Sequence, residues 1–242
     1  MPSAIISYGL FMFSLDFTIN YLPYVLYAII LVLTLDILSG WSFRYFDKHF
    51  NENKNYVSLW QPRYYFSIMV IWLICAGYLY SSGGIDLETV LALLLCHLLL
   101  IASAIDLKYM YLPDLLILPL IPIGLFANYF IVFTTFNEAM LGAILGFGIL
   151  WSVNSLFKLI RKKEGMGMGD FKLLGALGAW TGAVQLPLII ILSSFIGIAL
   201  ALIVNPLRGK HYTEPYPFGP ALAIAGVICL LWGYEITMWL YN

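Results

Sequence analysis

Two aspartates stand at the edges of apolar stretches, where a carboxyl group is costly to place. Asp106 directly follows the apolar residues 87–105, and Asp170 lies between the Gly- and Met-rich residues 165–169 and a second apolar run. An acid at membrane depth costs on the order of 2.5–3.5 kcal/mol, even on the lenient insertion scale, so we expect it to be functional. Asp106 and Asp170 are therefore the first candidates for chemistry in this sequence.

A pair of carboxyl groups in one site can hydrolyse a peptide bond without a metal ion. Two neighbouring carboxyls cannot both ionise easily, so the pair holds one proton over a wide pH range. The ionised member can take a proton from water while the protonated member polarises the scissile carbonyl. The sequence contains no Gly-x-Ser-x-Gly and no His-Glu-x-x-His motif that would indicate a competing catalytic apparatus.

Residues close to the two aspartates are candidates for substrate binding or support. The glycines make a stable helix unexpected at 165–169, since each costs about 1 kcal/mol relative to Ala, and they let another backbone approach closely. Plainer roles remain open, because Asp106 could simply end a helix and the flanking charged residues could be ordinary interfacial side chains. For Asp114, which follows Pro113, we favour a role at the start of a helix, where a negative charge interacts favourably with the helix dipole. These candidates are Gly167, Gly169, Lys172, Asp114 and Glu164.

The composition indicates an integral membrane protein. Of the 242 residues, 62% are hydrophobic and 10% are charged, whereas a soluble domain has about 25% charged residues. The net charge of -1 and the lack of a basic stripe give no reason to expect a nucleic acid partner. The cysteines Cys75, Cys96 and Cys229 are isolated in apolar runs without a Cys-x-x-Cys pair, so neither zinc nor another metal is expected.

Apolar segments of spanning length predict an all-α, polytopic fold with about eight transmembrane helices. A span needs about 20 apolar residues, Pro119 and Pro122 should kink the fourth segment, and the sixth is too short to cross unless the preceding loop enters the membrane. We divide the chain into an N-terminal membrane region, residues 1–86, and a core, residues 87–242, that carries both aspartates. The predicted spans are 21–40, 64–81, 87–105, 114–134, 138–160, 171–182, 187–204 and 218–239.

The distribution of basic residues predicts the topology. With eight spans, all 12 lysines and arginines fall on one side of the membrane, which includes the polar loop at 41–63. The positive-inside rule makes that side the cytoplasm, so both termini lie on the opposite side and both aspartates at the cytoplasmic edge. Residues 1–20 lack the basic segment of a cleaved signal peptide, and we expect them to be retained.

Ala-Ile-Asp at 104–106, Gly-Met-Gly-Asp at 167–170 and Tyr-Pro-Phe-Gly-Pro at 216–220 are the centres of three motifs, and these motifs, in this order, resemble signatures of the bacterial type IV prepilin peptidases, the GxGD intramembrane aspartic peptidases of family A24. The first is Ala-Ile-Asp at 104–106 followed by Leu-Pro-Asp-Leu-Leu-Ile-Leu-Pro-Leu at 112–120. The second is Glu-Gly-Met-Gly-Met-Gly-Asp-Phe-Lys-Leu-Leu at 164–174, continuing through Gly-Ala-Trp at 178–180. The third is Tyr-Pro-Phe-Gly-Pro-Ala-Leu-Ala at 216–223. The resemblance implies catalytic aspartates at the positions of Asp106 and Asp170.

The resemblance also implies a substrate and a location. Such enzymes cut pilin-like precursors, or the pseudopilins of type II secretion, after the Gly that ends a short basic leader. The site would face the cytoplasm in the bacterial inner membrane, and the apolar helix after the cut would lie among the spans. Many members add a methyl group to the new terminus with S-adenosylmethionine and carry two Cys-x-x-Cys pairs. Residues 41–63 contain no cysteine, so we carry over the peptidase and leave the methyltransferase as an alternative.

Two other classes of function compete with the peptidase. A small proton-coupled transporter would use the acids as a relay and the prolines and glycines as hinges, but it predicts an inverted repeat and acids at mid-bilayer. We find neither pattern in the sequence. A non-catalytic scaffold for pilus assembly leaves two costly acids at one depth unexplained. We therefore expect an aspartic endopeptidase that needs no cofactor for peptide hydrolysis.

Overall fold

The computed structural model describes residues 87–162, 165–207, 211 and 216–241, all within one compact unit. Every regular element in these ranges is helical. The predicted spans 21–40 and 64–81, the loop 41–63 and the candidate Glu164 lie outside the described residues. The helices are α1 (Leu87–Tyr109), α2 (Asp114–Ile117), α3 (Leu120–Tyr129), α4 (Phe136–Arg161), α5 (Met168–Thr181), a 3-10 turn (Ala183–Gln185), α6 (Leu186–Leu207) and α7 (Gly219–Tyr241).

Four segments of the described part are long and apolar enough to cross a membrane. They are Leu87–Tyr109, Phe136–Arg161, Ala183–Pro206 and Gly219–Leu240, and they correspond to four of the predicted spans. The first continues beyond its predicted end at residue 105, so Asp106 lies within the last turn of α1 instead of following it. The carboxyl group is thereby held by a helix and not by a loop.

The predicted span at 114–134 is shorter than predicted and is interrupted at Pro119, one of the two positions where a kink was predicted. The chain makes two short helices there, α2 and α3, which end at Tyr129. Pro119 separates them because it has no N–H to bond the carbonyl four residues earlier. Pro122 lies in the first turn of α3, where proline is tolerated. The result is a short, broken, apolar segment, Asp114–Tyr129, which is not one of the four candidate spans.

Helix α5 lies at the centre of the described core and packs against α4, α3 and α7. Except for Lys172, its residues from Asp170 to Thr181 are buried. Its 14 residues span ~21 Å at 1.5 Å per residue, less than the ~30 Å of a bilayer core. The helix begins at Met168, earlier than predicted, and ends at Thr181, with Gly182 at φ 85°.

Glycines bring α4 and α5 into backbone contact. A Cβ on Gly142 would collide with the carbonyl of Gly178, and a Cβ on Gly178 would collide with that of Gly142. One turn further along α4, a Cβ on Gly146 would lie 2.6 Å from the carbonyl oxygen of Leu174. Small residues four apart on one helix allow such close crossings in membrane bundles. The crossing fixes α5, and with it Asp170, against α4.

Asn128 and Trp180 join α3 to the end of α5. The Asn128 amide donates hydrogen bonds to the backbone oxygens of Ala179 (2.8 Å) and Trp180 (3.1 Å). Trp180 Nε1 donates to the carbonyl of Leu120 at 2.8 Å. Asn128 and Trp180 are both fully buried, where an unpaired polar group would cost about 1–3 kcal/mol. These bonds therefore define one register of α3 on α5.

Candidate active site

Asp106 meets the start of α7 across 113 residues of sequence. The backbone N–H of Gly219 donates to Asp106 Oδ2 at 3.0 Å, and the aspartate is only 5% exposed. A Cβ on Gly219 would lie 2.6 Å from the same oxygen, so only glycine lets the N–H approach. The bond stabilises a carboxylate at Asp106, because a donor to a buried acid favours its charged form.

Asp170 lies in the first turn of α5, outside the four candidate spans. It is 9% exposed. Burial raises the pKa of the Asp170 carboxyl, the nearby Asp106 carboxyl raises it further, and a hydrogen bond to the backbone of Gly167 opposes the rise. Burial and a neighbouring negative charge therefore both favour the protonated form of Asp170.

The two carboxyl groups line one cavity of about 220 Å³. Leu112 lines the cavity and lies close to a neighbour of each acid. A Cβ on Gly169, next to Asp170, would lie 2.7 Å from Leu112 Cβ, and a Cβ on Gly219, which binds Asp106, would lie 3.0 Å from Leu112 Cδ2. The structure thus brings together six of the seven candidate residues from the sequence. The other residues lining the cavity are Met110, Tyr111, Leu112, Asp114, Gly167, Met168, Gly169 and Lys172.

Lys172 and Asp114 form an ion pair at the wall of this cavity. Lys172 Nζ lies 2.7 Å from Asp114 Oδ1 and 2.8 Å from Oδ2. Asp114 is the first residue of α2, as its position after Pro113 predicts. The sequence analysis named Lys172 and Asp114 as candidates, but it did not reveal that they pair.

Asn154 on α4 holds the chain that leads into α5. Its Oδ1 accepts hydrogen bonds from the backbone N–H groups of Gly165 and Met166, both at 3.1 Å. A Cβ on Gly165 would lie 2.9 Å from the Phe157 ring. This part of the Gly-Met stretch is therefore tied to α4 before the helix begins at Met168.

A second, apolar cavity of about 530 Å³ runs beside the first. It follows α1 from Cys96 to Leu107, the residue next to Asp106, and on α7 it begins at Pro220, the residue next to Gly219. We call this cavity the apolar groove. Among its lining residues are Leu99, Leu100 and Ser103 of α1, Leu200 and Val204 of α6, and Ala223, Ile224 and Val227 of α7.

Sequence reasoning missed the residues that support the site, although the sequence contained signals for some of them. Asn128 is a polar residue within an apolar run, which suggests a hydrogen-bonded position. Gly142 and Gly146 have the small-residue spacing of a close helix crossing. Gly219 belongs to a recognised motif, but nothing in that motif indicates a contact with Asp106. Within the described residues, no three His, Cys, Asp or Glu side chains are grouped as metal ligands.

The chain is similar in sequence to a family of known proteins. Residues 93–202 match the type IV leader peptidase family. The chain is 50% identical over 162 residues to a prepilin leader peptidase/N-methyltransferase of Pseudomonas aeruginosa, covering 67% of this chain and 56% of that protein. A protein of the same name from Aeromonas hydrophila is 50% identical over 151 residues, or 62% of this chain and 52% of that protein.

A third relative, from Stutzerimonas stutzeri, carries the same name and is 47% identical over 162 residues, covering 67% of this chain and 56% of that protein. The chain thus spans about half the length of these curated relatives. No solved structure matches it.

Proposed function

We propose that this chain, whose residues 93–202 match the type IV leader peptidase family, is a prepilin leader peptidase with Asp106 and Asp170 as its catalytic pair. The observation that carries the proposal is that both carboxyl groups, contributed by different helices, line one small cavity. Each is buried, at 5% and 9% exposure, so the two acids interact in a region of low polarity. One proton shared between two such acids is the state that aspartic peptide hydrolysis requires.

The geometry favours a division of roles between the acids. The N–H of Gly219 stabilises a carboxylate at Asp106, while at Asp170 burial and the neighbouring charge outweigh the backbone hydrogen bond of Gly167 and favour the protonated form. Asp106 takes a proton from water as the water oxygen attacks the scissile carbonyl, and Asp170 donates a hydrogen bond to the carbonyl oxygen. The tetrahedral intermediate then loses its C–N bond, and the leaving amine takes up a proton from the pair.

The proposed substrate is a prepilin or pseudopilin precursor, cut after the Gly that ends its basic leader. The names of the matched relatives support a prepilin substrate. The apolar groove supports a position for the helix that follows the cut, because the groove leads along α1 to Leu107, beside Asp106. A helix held there would bring its first peptide bonds to the catalytic pair, and fixed proximity is itself a large part of catalysis.

The proposed topology has eight spans in the bacterial inner membrane, of which α2–α3 and α5 are short and α5 is buried among the others, with both termini outside the cytoplasm and the catalytic pair at the cytoplasmic edge. The four candidate spans of the described part and the one-sided distribution of lysines and arginines support it. In this topology, residues 1–86 form the N-terminal membrane region and residues 87–242 the peptidase core. Peptide hydrolysis by the pair needs no cofactor.

The test of the proposal is Asp106→Asn and Asp170→Asn, each made singly. Either change removes an acid that the reaction needs, so cleavage of a prepilin by the detergent-solubilised protein should fall about a thousandfold or more. The measurement is the rate of leader release with no ion gradient present, which also excludes a transporter. Glu235→Gln, at an exposed acid on α7 outside the cavity, is the control and should cleave normally.

Retained cleavage in either aspartate variant, at normal accumulation in the membrane, would refute the assigned roles. The mass of the processed product in the same assay addresses the methyltransferase named in the relatives. With S-adenosylmethionine supplied, one added methyl group would establish a bifunctional enzyme, and an unchanged mass would establish the peptidase alone.

A further inference from the structure

The ion pair between Lys172 and Asp114 lies in the wall of the cavity that holds the two aspartates. The lysine Nζ is almost equidistant from the carboxylate oxygens, at 2.7 and 2.8 Å. The side chains are 24% and 49% exposed, and pairs at such exposure add little to stability. The main physical effect of the pair is therefore to fix where the charge of Lys172 lies.

The position of that charge matters to the reaction. Lys172 follows Asp170 by two residues, and both line the same cavity. A cation within about 4–6 Å of a carboxyl favours its ionised form and lowers its pKa. An unrestrained ammonium group at Lys172 would thus draw the shared proton off the aspartate pair and leave both acids ionised.

The other charged and titratable groups around Asp170 come from three elements. Asp106 faces it from α1, Tyr111 from the loop after α1, and Asp114 from α2. Lys108 of α1 holds its ammonium 4.8 Å from the centre of the Tyr109 ring. Among the described residues that line the cavity, Lys172 is the only cation.

We propose that Asp114 is a positioning residue that holds the Lys172 ammonium away from Asp170 and so keeps the shared proton on the aspartate pair. This inference rests on the proposed peptidase function. Asp114 does not touch the reacting atoms in this scheme and acts only through Lys172. A purely structural tie between α2 and α5 would lower the amount or rate of active enzyme without changing the pH at which the pair loses its proton.

The test is the pH profile of prepilin cleavage by Asp114→Asn. This change keeps the side-chain size but frees the ammonium, which lowers the pKa that governs loss of the shared proton. The alkaline limb of the profile should therefore move to lower pH, by about one unit for a cation that reaches the pair. In the double variant Asp114→Asn with Lys172→Gln, both charges are gone and the limb should return towards its wild-type position.

Two further measurements make the test decisive. Arg161→Gln removes an exposed cation at the end of α4, outside the cavity, and should leave the limb in place. Infrared titration of the protonated carboxyl band, assigned by its loss in Asp170→Asn, follows the shared proton without needing cleavage. In Asp114→Asn this band should disappear at lower pH than in the wild type.

An unmoved limb and an unmoved infrared band in Asp114→Asn would overturn the inference, as would a shift that survives in the double variant. If the wild-type protein cleaves no prepilin, the proposed function fails. The pH at which the infrared band disappears in Asp114→Asn then decides by itself whether Asp114 keeps the shared proton on the aspartate pair. A fall in rate at all pH values with no shift would assign the pair a structural role and reject the positioning role.

Discussion

At Gly219 the proposed site has no space for a side chain. The N–H of Gly219 approaches Asp106 Oδ2 to 3.0 Å, and any side chain there would have to displace that oxygen, because a Cβ would lie 2.6 Å from it. The glycine is used here for close approach and not for an unusual φ angle, since Gly182 is the only described glycine with positive φ.

Gly219→Ala should therefore slow cleavage while leaving α7 intact. A hydrogen bond to a charged group contributes about 1.5–3 kcal/mol, so the rate of cleavage should fall on the order of ten- to a hundredfold. The measurement is kcat for a prepilin substrate. Gly148→Ala is the matched control, since a Cβ on Gly148 meets nothing within 4 Å. Normal kcat in Gly219→Ala would show that the hydrogen bond is not needed.

At the residue scale, the sequence predicted the acids better than their partners. Asp106 and Asp170 could be found because an acid beside an apolar run is costly and therefore conspicuous. Neither the Lys172–Asp114 pair nor the Gly219–Asp106 bond could be found in the same way. They join residues 58 and 113 positions apart, and such contacts depend on how helices pack, which local pattern does not encode.

At the scale of elements, the position of Asp170 depends on how closely α5 crosses α4. Gly142 and Gly178 place the two backbones in contact, and either Cβ would meet a carbonyl group of the other helix. Since α5 is buried from Asp170 to Thr181 except at Lys172 and is too short to span the bilayer by itself, its depth is set by its neighbours and not by its own hydrophobic length.

Gly178→Ala should accordingly force the two helices apart. We expect a loss of about 1–3 kcal/mol in stability, typical of overpacking, measured as a lower midpoint of thermal unfolding in detergent. Gly148→Ala, on the open side of α4, should be neutral or stabilising by up to about 1 kcal/mol because alanine favours helix. An equal midpoint in both variants would mean that the crossing is free to relax.

The sequence predicted the elements unevenly, for physical reasons. Long apolar runs gave α1, α4, α6 and α7 to within a few residues, because length and hydropathy are properties of the run itself. In the segment 114–134 the kink predicted at Pro119 is a break between two short helices, and the helical part ends at Tyr129. The start of α5 was placed three residues too late because glycine has a low helix propensity, whereas Met168 and Gly169 already lie in the first turn of the helix.

At the scale of the whole molecule, the apolar groove predicts that two kinds of substrate will respond differently to one change. Ile224 lines the groove and is 43% exposed. Ile224→Trp should fill part of the groove and exclude a few methylene groups of a bound helix, at about 0.8 kcal/mol each. A full precursor should then be cut about tenfold more slowly, whereas a short peptide without the apolar helix should be cut at the normal rate.

The measurement is kcat/KM for both substrates with the same preparation. Phe195→Trp is the control, because Phe195 is 70% exposed on α6 and does not line the groove. Equal slowing of both substrates would place the damage in the catalytic pair, and no slowing of either would exclude the groove as the site of the helix.

The hydrogen bond between Asp106 and Gly219 has a consequence for biosynthesis. Both aspartates leave the ribosome well before Gly219. A nascent chain that has inserted only α1 to α6 carries the two acids without the donor that stabilises one of them. In the proposed mechanism, the aspartate pair is therefore complete only after α7 has packed against α1.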